Sequence, residues 1–205
     1  MILLLAPSML LGQSFAVKVN AGSMGGGVEV VYQAHESANL RLGGNFFGLS
    51  YLYESGTDEE FDLDSDFSLG MFSLLADWHP GKSQFRVTGG LLYNNNSISA
   101  ALIPKQSYTV GGDKYTPDEL GRLNADFSFN SLAPYLALGF GNPFSGSRFG
   151  FNTDVGFVYQ GAPKVSLSAD GLLAPSAEQG PQLQENVSWA KFYPVLTFGL
   201  SYRIN

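Results

Sequence analysis

Apolar and polar residues alternate one by one along several long stretches of the chain. Over residues 191–204 the even positions carry apolar side chains or proline, and the odd positions carry mostly small or polar ones. The same split occurs over 148–160, over 84–94 with Leu92 as an exception, and over 40–46. Successive side chains of a β-strand point to opposite faces, whereas a helix repeats about every 3.6 residues. The alternation therefore predicts strands with one apolar face, and no long helical pattern competes with it.

Breaks in this alternation divide the chain into eight predicted strands. Short breaks alternate with longer ones, as in barrels with tight turns at one end and long loops at the other. The apolar positions are odd over 15–19 but even over 28–32, with a glycine run between them. We interpret this flip as a hairpin, although one long bulged strand would also produce it. The predicted strands span residues 14–21, 26–34, 39–53, 61–78, 84–99, 123–141, 148–160 and 187–204.

Composition indicates which face of the strands points outward. The 205 residues include 11 Lys and Arg against 18 Asp and Glu, which gives a net charge of −7, and only 14% of residues are charged. Gly, Ser, Thr and Asn dominate the polar register, which suits a narrow filled interior rather than a solvated face. Aromatic residues, 14% of the chain, fall on the apolar register as in the girdles of membrane barrels. We therefore predict an all-β fold, an eight-stranded antiparallel up-and-down transmembrane β-barrel, with a soluble ligand-binding barrel as the alternative.

The chain divides into a short leading segment and one barrel domain, residues 14–205. Residues 1–12 form an apolar run that is followed by Gln13 and Ser14. Such a run is typical of the central region of a secretory signal peptide and is too short to cross a membrane as a helix. No Lys or Arg precedes it, so we expect a signal peptide at 1–13 with a truncated or internal start. A buried first strand is the alternative.

The chain ends on a strand with alternating aromatic residues, FGLSYRIN at 198–205. With its signal-like start and eight alternating strands, it resembles the small OmpA-, OmpX- and OmpW-type outer-membrane barrels of Gram-negative bacteria. The resemblance covers nearly the whole chain, by pattern rather than by a diagnostic motif. It implies an outer-membrane location, contact with outer-membrane lipid and lipopolysaccharide, and recognition of the last strand by the barrel-assembly machinery. Those proteins usually end in an aromatic residue, a role that falls here to Tyr202 or Ile204.

Function within that group is diverse, so three hypotheses remain. The first is a structural or recognition scaffold that presents loops outside the cell, because loops on a rigid framework commonly carry recognition. The second is a narrow channel for small or hydrophobic solutes, and the third is a lipid-active outer-membrane enzyme. We expect a monomer without a cofactor. Nucleic acid is not expected as a partner, because its phosphates need clustered Lys and Arg.

Charged residues of both signs fall on the polar register. An eight-stranded barrel is just wide enough for its own side chains to fill, and an unpaired charge inside it would be costly. We predict an ion-pair network that plugs the lumen, with a gated polar pore as the alternative. An Arg that faces lipid at the midplane costs about 2–4 kcal/mol, so Arg148 is expected to face the lumen too. The predicted network comprises Lys18, Glu29, Arg41, Asp77, Arg86, Asp154 and Arg203.

An acidic segment links the third and fourth predicted strands. Residues 58–60 are acidic, and Asp62, Asp64 and Asp66 follow with the spacing of a calcium loop. Phe67 and Ser73 stand where such a loop needs a glycine and a bidentate glutamate. In a strand the three aspartates share one face, so a weak divalent-cation site is kept as the alternative to a solvated loop face.

Other motifs carry less chemistry. Residues 76–83, ADWHPGKS, match a loose phosphate-loop pattern, but a strand follows instead of the helix that would hold phosphate. His35 and His79 fall in short turns at the end opposite the rim where a lipid-modifying base would work. Without Cys, no metal cluster of N or S ligands is expected. A capping box predicts one helical turn over 116–123.

Three further features concern the strand ends. Flips of the alternation near Phe72 and Asn130 indicate bulges or strand extensions beyond the membrane. Residues 165–169, VSLSA, alternate as well, and we expect them to extend the seventh strand outside.

Overall fold

Strands dominate the computed structural model, which describes residues 14–53 and 61–205. The predicted signal segment and the acidic residues 58–60 lie outside these described residues. In the described part of the chain, no helix is both long and apolar enough to cross a membrane. In chain order the elements are β1 (Phe15–Gly22), β2 (Gly25–His35), β3 (Ala38–Tyr53), β4 (Phe61–Trp78), β5 (Phe85–Asn94), β6 (Ser97–Pro104), β7 (Tyr108–Val110), β8 (Asp113–Tyr115), α1 (Pro117–Leu120), β9 (Leu123–Ser128), β10 (Leu132–Phe140), β11 (Phe149–Tyr159), β12 (Lys164–Ala169), α2 (Gly180–Asn186) and β13 (Phe192–Arg203), with 3-10 helices at Pro80–Lys82 and Gly171–Gln179.

Eight of these strands close into an antiparallel barrel. Its order is β1, β2, β3, β4, β5, β10, β11 and β13, and β13 pairs back to β1. This confirms the predicted eight-stranded up-and-down barrel. The first two strands form a hairpin rather than one bulged strand, since Gly22 pairs with Gly25 around a turn of two residues. Gly25 has φ +90, a conformation that suits glycine.

The two ends of the barrel differ. The terminal end carries Ser14 and Asn205, and the Phe15 amide donates a hydrogen bond to the Asn205 side chain at 2.8 Å. Short turns at 36–37, 79–84 and 141–148 lie at the same end. The loop end carries the tight first hairpin and the longer connections over 54–60, 95–131 and 160–191.

At the loop end, part of the barrel wall continues beyond the closed ring as an extension of the same sheet. The upper half of β4 pairs with β6, β6 pairs with β9, and β9 pairs with β12. We call the five strands from 47–53 of β3 across to β12 the loop-end sheet. The predicted fifth strand is interrupted at Asn95 and Asn96, and β6 then continues it in the same register between β4 and β9. The predicted sixth strand is interrupted opposite them, at 129–131, and the two strands keep one register across both breaks, from Tyr93 with Leu132 to Ser97 with Ser128.

Other predicted boundaries also need correction. The last strand starts at Phe192 rather than 187, because α2 and a turn occupy the preceding residues. VSLSA lies in β12, which pairs with β9 as β11 pairs with β10, so it continues the seventh strand beyond the ring after a break at 160–163, as expected. The capping box is confirmed, since the Thr116 amide and hydroxyl both lie 2.8 Å from a Glu119 oxygen, although α1 spans only Pro117–Leu120.

The ring has its apolar side chains outside and its polar ones inside, as predicted. Leu42 and Phe149 are 63% and 73% exposed, whereas Arg41 and Arg86 are 2% and 1% exposed. The flip near Phe72 is not a bulge, because the pairing of β3 with β4 keeps one register along its whole length. Near Phe72 the two faces of β4 exchange polarity, so that toward the loop end the inward face is apolar and the outward face is polar.

Candidate functional site

Six of the seven predicted lumen residues meet inside the barrel. The Lys18 Nζ lies 3.2 Å from both Glu29 Oε2 and Asp154 Oδ2. The Arg41 Nη1 lies 3.1 Å from Glu29 and 3.2 Å from Asp154, and its Nε lies 3.0 Å from Asp77. We call Lys18, Glu29, Arg41, Asp77, Arg86 and Asp154 the ionic cluster.

Arg86 completes the ionic cluster. Its Nη2 lies 2.8 Å from Asp154 Oδ1, and its Nη1 donates to the carbonyls of Phe140 and Gly141. The cluster holds three cations and three carboxylates, and every one of its side chains is less than 5% exposed. Its formal charge is therefore balanced without solvent, which is what makes six buried charges tolerable.

Neutral polar residues of the same inward register satisfy the remaining carboxylate oxygens. The Thr88 hydroxyl donates to Asp77 at 2.7 Å and accepts from Arg41 at 3.2 Å. The Asn20 amide donates to Glu29 at 3.1 Å. Only charged residues were predicted to face the lumen. Asn20 and Thr88 lie on the same inward register, so the same rule could have predicted them.

Glycines on the inward register make room for the cluster. A Cβ at Gly139 would lie 2.6 Å from Asp154 Oδ1 and 2.7 Å from Arg86 Nε. A Cβ at Gly43 would lie 2.6 Å from the Glu29 Cγ, and one at Gly199 would lie 2.9 Å from the Lys18 Cε. The many glycines of the polar face therefore have a steric role, because long charged side chains occupy the space beside them.

Two predicted lumen arginines lie elsewhere. Arg203 is at the terminal end, where its guanidinium donates to the carbonyls of Phe144 at 3.3 Å and Gly146 at 3.2 Å. It holds the turn between β10 and β11 and makes no ion pair with the cluster. Arg148 is exposed in that same turn, so its expected lumen position is wrong. Both arginines lie too close to the strand ends for their side chains to reach the ionic cluster.

An apolar layer fills the lumen as well. It contains Leu92, the exception in the alternation of β5, which is 1% exposed. Met24 enters this layer from the tip of the first hairpin and is 6% exposed. The layer consists of Met24, Met71, Leu75, Leu92, Ala133, Tyr135, Ala137, Val158 and Val195. The barrel interior is therefore filled by a charged layer and an apolar one.

The loop-end sheet reverses the polarity of the ring below it. On β3 the inward register carries Arg41 and Asn45 inside the barrel, but Leu49, Tyr51 and Tyr53 above it. The pairing continues this apolar face across the sheet in two rows, Leu49–Phe67–Ile98–Phe127–Val165 and Tyr53–Leu63–Leu102–Leu123–Ala169. The outward face carries the polar row Ser50–Asp66–Ser99–Asp126–Ser166. Above the ring the sheet thus has the pattern of a water-exposed sheet, polar outside and apolar inside.

The predicted divalent-cation residues lie on that outward face. Asp62, Asp64 and Asp66 share it, but Asp62 pairs with Lys105 at 3.0 Å and Asp66 accepts from Ser50 at 3.2 Å. In the described ranges 14–53 and 61–205, no group of three or more acidic or histidine side chains is arranged to hold a metal ion. The geometry therefore gives the cation site no support.

Both histidines lie at the terminal end, as predicted. His79 is fully buried, with Nδ1 3.0 Å from the Ser83 carbonyl and Nε2 3.0 Å from the Asn39 amide. Burial lowers the pKa of His79 below its ordinary value. His35 contacts Ser37 at 3.0 Å within an exposed turn. These contacts hold the turns together and place no base at the loop end.

Comparison with known proteins identifies a fold. No protein-family model and no curated protein matches the chain. CarO2 of Acinetobacter baumannii has a TM-score of 0.62 at 20% identity, over 93% of this chain and 98% of that one. CarO of the same organism has a TM-score of 0.61 at 23% identity, over 91% and 96%. A major outer membrane protein from Thermus thermophilus has a TM-score of 0.48 at 16% identity, over 94% and 99%.

At these identities the likeness concerns the fold and not the activity. The closed antiparallel ring, its apolar outer surface and its polar interior define the class: the chain has the fold of the small eight-stranded outer-membrane β-barrels.

Proposed function

We propose that this protein is a sealed outer-membrane scaffold that presents the loop-end sheet outside the cell. One observation carries the proposal: Arg41 and Asp154 meet at 3.2 Å from opposite walls of the ring, so the ionic cluster spans the lumen. A solute would have to separate several buried ion pairs, and removing one partner of such a pair costs about 3–5 kcal/mol. The cluster thus acts as a plug, and the exposed sheet is left to carry function.

The orientation belongs to the same proposal. Both termini and the short turns face the periplasm, and the loop-end sheet faces the outside, with lipopolysaccharide and outer-membrane lipid around the ring. The barrel-assembly machinery recognises β13, and the barrel is a monomer. The polar outward face of the loop-end sheet suits water rather than lipid, and short turns at one end with long connections at the other match the periplasmic and outer ends of such barrels.

Labelling of intact cells tests the orientation. The chain has no cysteine, so Ser166→Cys and Ser145→Cys each introduce one thiol, on the loop-end sheet and in a terminal-end turn respectively. A membrane-impermeant maleimide is expected to label the first variant on intact cells and the second only after the outer membrane is opened. The reverse pattern, or labelling of neither variant on intact cells, contradicts the proposal.

Conductance tests the seal. Purified protein in a planar bilayer is expected to give no stepwise current, with a wide porin as the positive control for insertion. Defined current steps would instead favour the channel for small or hydrophobic solutes. The enzyme hypothesis has no comparable support, since both histidines lie at the terminal end, away from the outer leaflet in this orientation.

A further inference from the structure

At the loop end, strand edges on β3, β12 and β13 lie beyond the closed ring, and they differ in whether neighbouring groups block them. The first hairpin ends at Gly22 and Gly25, well below the tops of its neighbours. Above it, β3 continues from Phe47 to Tyr53 and β13 begins as high as Phe192. The wall therefore has a notch between β3 and β13. It is three strand spacings wide, about 14 Å along the wall, which leaves room for added strands.

Two edges near this region are blocked. On β13, the backbone of Leu196 bonds to Ser23, and the neighbouring Pro194 has no amide to offer. On β12, the far edge of the loop-end sheet, the Gln184 side chain of α2 accepts from the Val165 amide at 2.8 Å and donates to the Pro163 carbonyl. Such devices keep an edge strand from pairing with another chain.

The third edge has no such protection from the residues that the structure describes. The pairing of β3 with β2 stops at Phe46, and among the described residues the backbone of 47–53 bonds only to β4. The stretch contains no Lys, no Pro and no bulge. Natural sheets usually avoid a long apolar edge of this kind, because it is a template for strand pairing.

The side chains beside this edge are also left uncovered. The 3-10 helix at Gly171–Gln179 and α2 pack against β12, at the other end of the apolar face. On β3, Leu49, Tyr51 and Tyr53 are 49%, 55% and 44% exposed. An added strand would gain backbone hydrogen bonds from the edge and an apolar floor from these side chains.

We propose that the edge of β3 from Phe47 to Tyr53 is a docking site for an extended segment of another protein, which adds to the loop-end sheet as a strand. One strand in from this edge, the outward face carries Asp64 and Asp66 of β4. The segment that fits alternates apolar residues, which lie beside Leu49 and Tyr51, with Lys or Arg, whose long side chains reach across Ser50 of β3 toward the carboxylates. This is strand addition with charge selection.

A second copy of the chain fits this edge less well. Two barrels in one membrane present their β3 edges in the same direction, whereas the antiparallel pairing that β-strands favour needs opposed directions. The occupant is therefore a flexible segment of a different protein. The inference rests on the proposed function only in placing the loop end outside the cell.

A synthetic peptide that alternates Val and Lys tests the proposal on the full chain folded in detergent or nanodiscs. We expect saturable binding, and slowed hydrogen exchange of the amides at 47–53 but not at 164–169. The same peptide, N-methylated on the amides of one edge, cannot pair and is expected to lose binding. Equal binding of the N-methylated peptide, or no added protection at 47–53, overturns the proposal.

Matched variants separate the edge from a general apolar surface. The double variant Leu49→Ser, Tyr51→Ser is expected to weaken binding at least about tenfold, since burying one large apolar side chain is worth about that factor. Leu52→Ser lies on the same edge but on the outward face, and is expected to leave affinity nearly unchanged. Asp64→Asn with Asp66→Asn should reduce the salt dependence of binding.

Further outcomes complete the test. Heat-modifiable gel migration checks that each variant is folded. If Leu52→Ser weakens binding as much as the inward double variant does, the inference fails. Concentration-dependent protection of 47–53 in the protein alone would identify a second copy as the occupant and also end it. The intact-cell labelling is independent, so a failed peptide experiment leaves the proposed orientation standing.

Discussion

Arg41 and Asp154 lie on β3 and β11, four places apart in a ring of eight strands, yet their side chains meet at 3.2 Å. Four places is the largest separation that a ring of eight strands allows. The contact is possible because glycines such as Gly43 and Gly139 leave space on the inward face. Ion pairs thus connect opposite sides of the barrel through its centre.

Asp154→Asn tests how much these ion pairs stabilise the barrel. Asp154 faces Lys18, Arg41 and Arg86, so the variant leaves three cations with two carboxylates in a dry lumen. We expect a loss of about 3–5 kcal/mol in the free energy of unfolding, measured by urea titration in lipid vesicles. Lys82→Ala removes the exposed pair of Lys82 with Glu36 and serves as the control, with no measurable change expected. Equal stability of Asp154→Asn and the wild type would show that the cluster is not charge-balanced as described.

Removal of a whole pair should be milder than removal of half. Lys18→Met alone leaves two cations with three carboxylates, whereas Lys18→Met with Glu29→Met leaves two of each in the cluster. We expect the single variant to lose several kcal/mol, about 3–5, and the double variant to regain most of it. A double-mutant cycle on the same unfolding assay measures the coupling. Additive losses would argue against a shared network.

Two leucines on the outward face of β3 test where the membrane ends along this strand. Leu42 is 63% exposed within the ring, and Leu52 is 52% exposed in the loop-end sheet. We expect Leu42→Arg to cost about 2–4 kcal/mol because it places a charge in lipid, and Leu52→Arg to cost little because water surrounds it. Folding yield into vesicles and urea titration measure both. Similar costs would mean that the polarity change along β3 does not coincide with the membrane surface.

The inward glycines should tolerate no side chain. Gly139→Ala would press a methyl group against Asp154 and Arg86, whereas a Cβ at Gly89 meets nothing within 4 Å. We expect Gly139→Ala to destabilise the barrel by about 1–3 kcal/mol, as overpacking does, and Gly89→Ala to be close to neutral. The temperature at which each variant loses its folded band on heat-modifiable gels ranks the stability of the two variants.

His79 gives the terminal end a pH response. Burial holds its pKa below the ordinary value of a histidine, so the folded barrel binds this proton less readily than the unfolded chain. Stability should therefore be level above the ordinary histidine pKa, and should fall as the pH drops from there toward the lowered folded value. The expected slope disappears in His79→Asn, which cannot titrate. Unfolding titrations across this range in both proteins provide the measurement, and identical slopes would contradict the role of His79.

Much of the cluster was predictable because strand periodicity is local. Lys18, Glu29, Arg41, Asp77, Arg86 and Asp154 all share the polar register, and a barrel of eight strands brings one register to one axis. Arg203 was included by the same rule and proved wrong as a cluster member. Its register was right, but its depth along the axis is set by the tilt and stagger of the strands, which no single strand encodes.

The sequence by itself determined the number of ring strands, the inverted polarity of the ring and the charges that face its lumen, since these follow from alternation and composition along each strand. Only the tertiary structure decided which strands keep a partner beyond the ring. The partners of a strand depend on how far its neighbours extend: β4 keeps β6 as a partner, whereas β3 loses β2 after Phe46. The loop-end sheet, its reversed polarity and the open edge of β3 all follow from these non-local pairings.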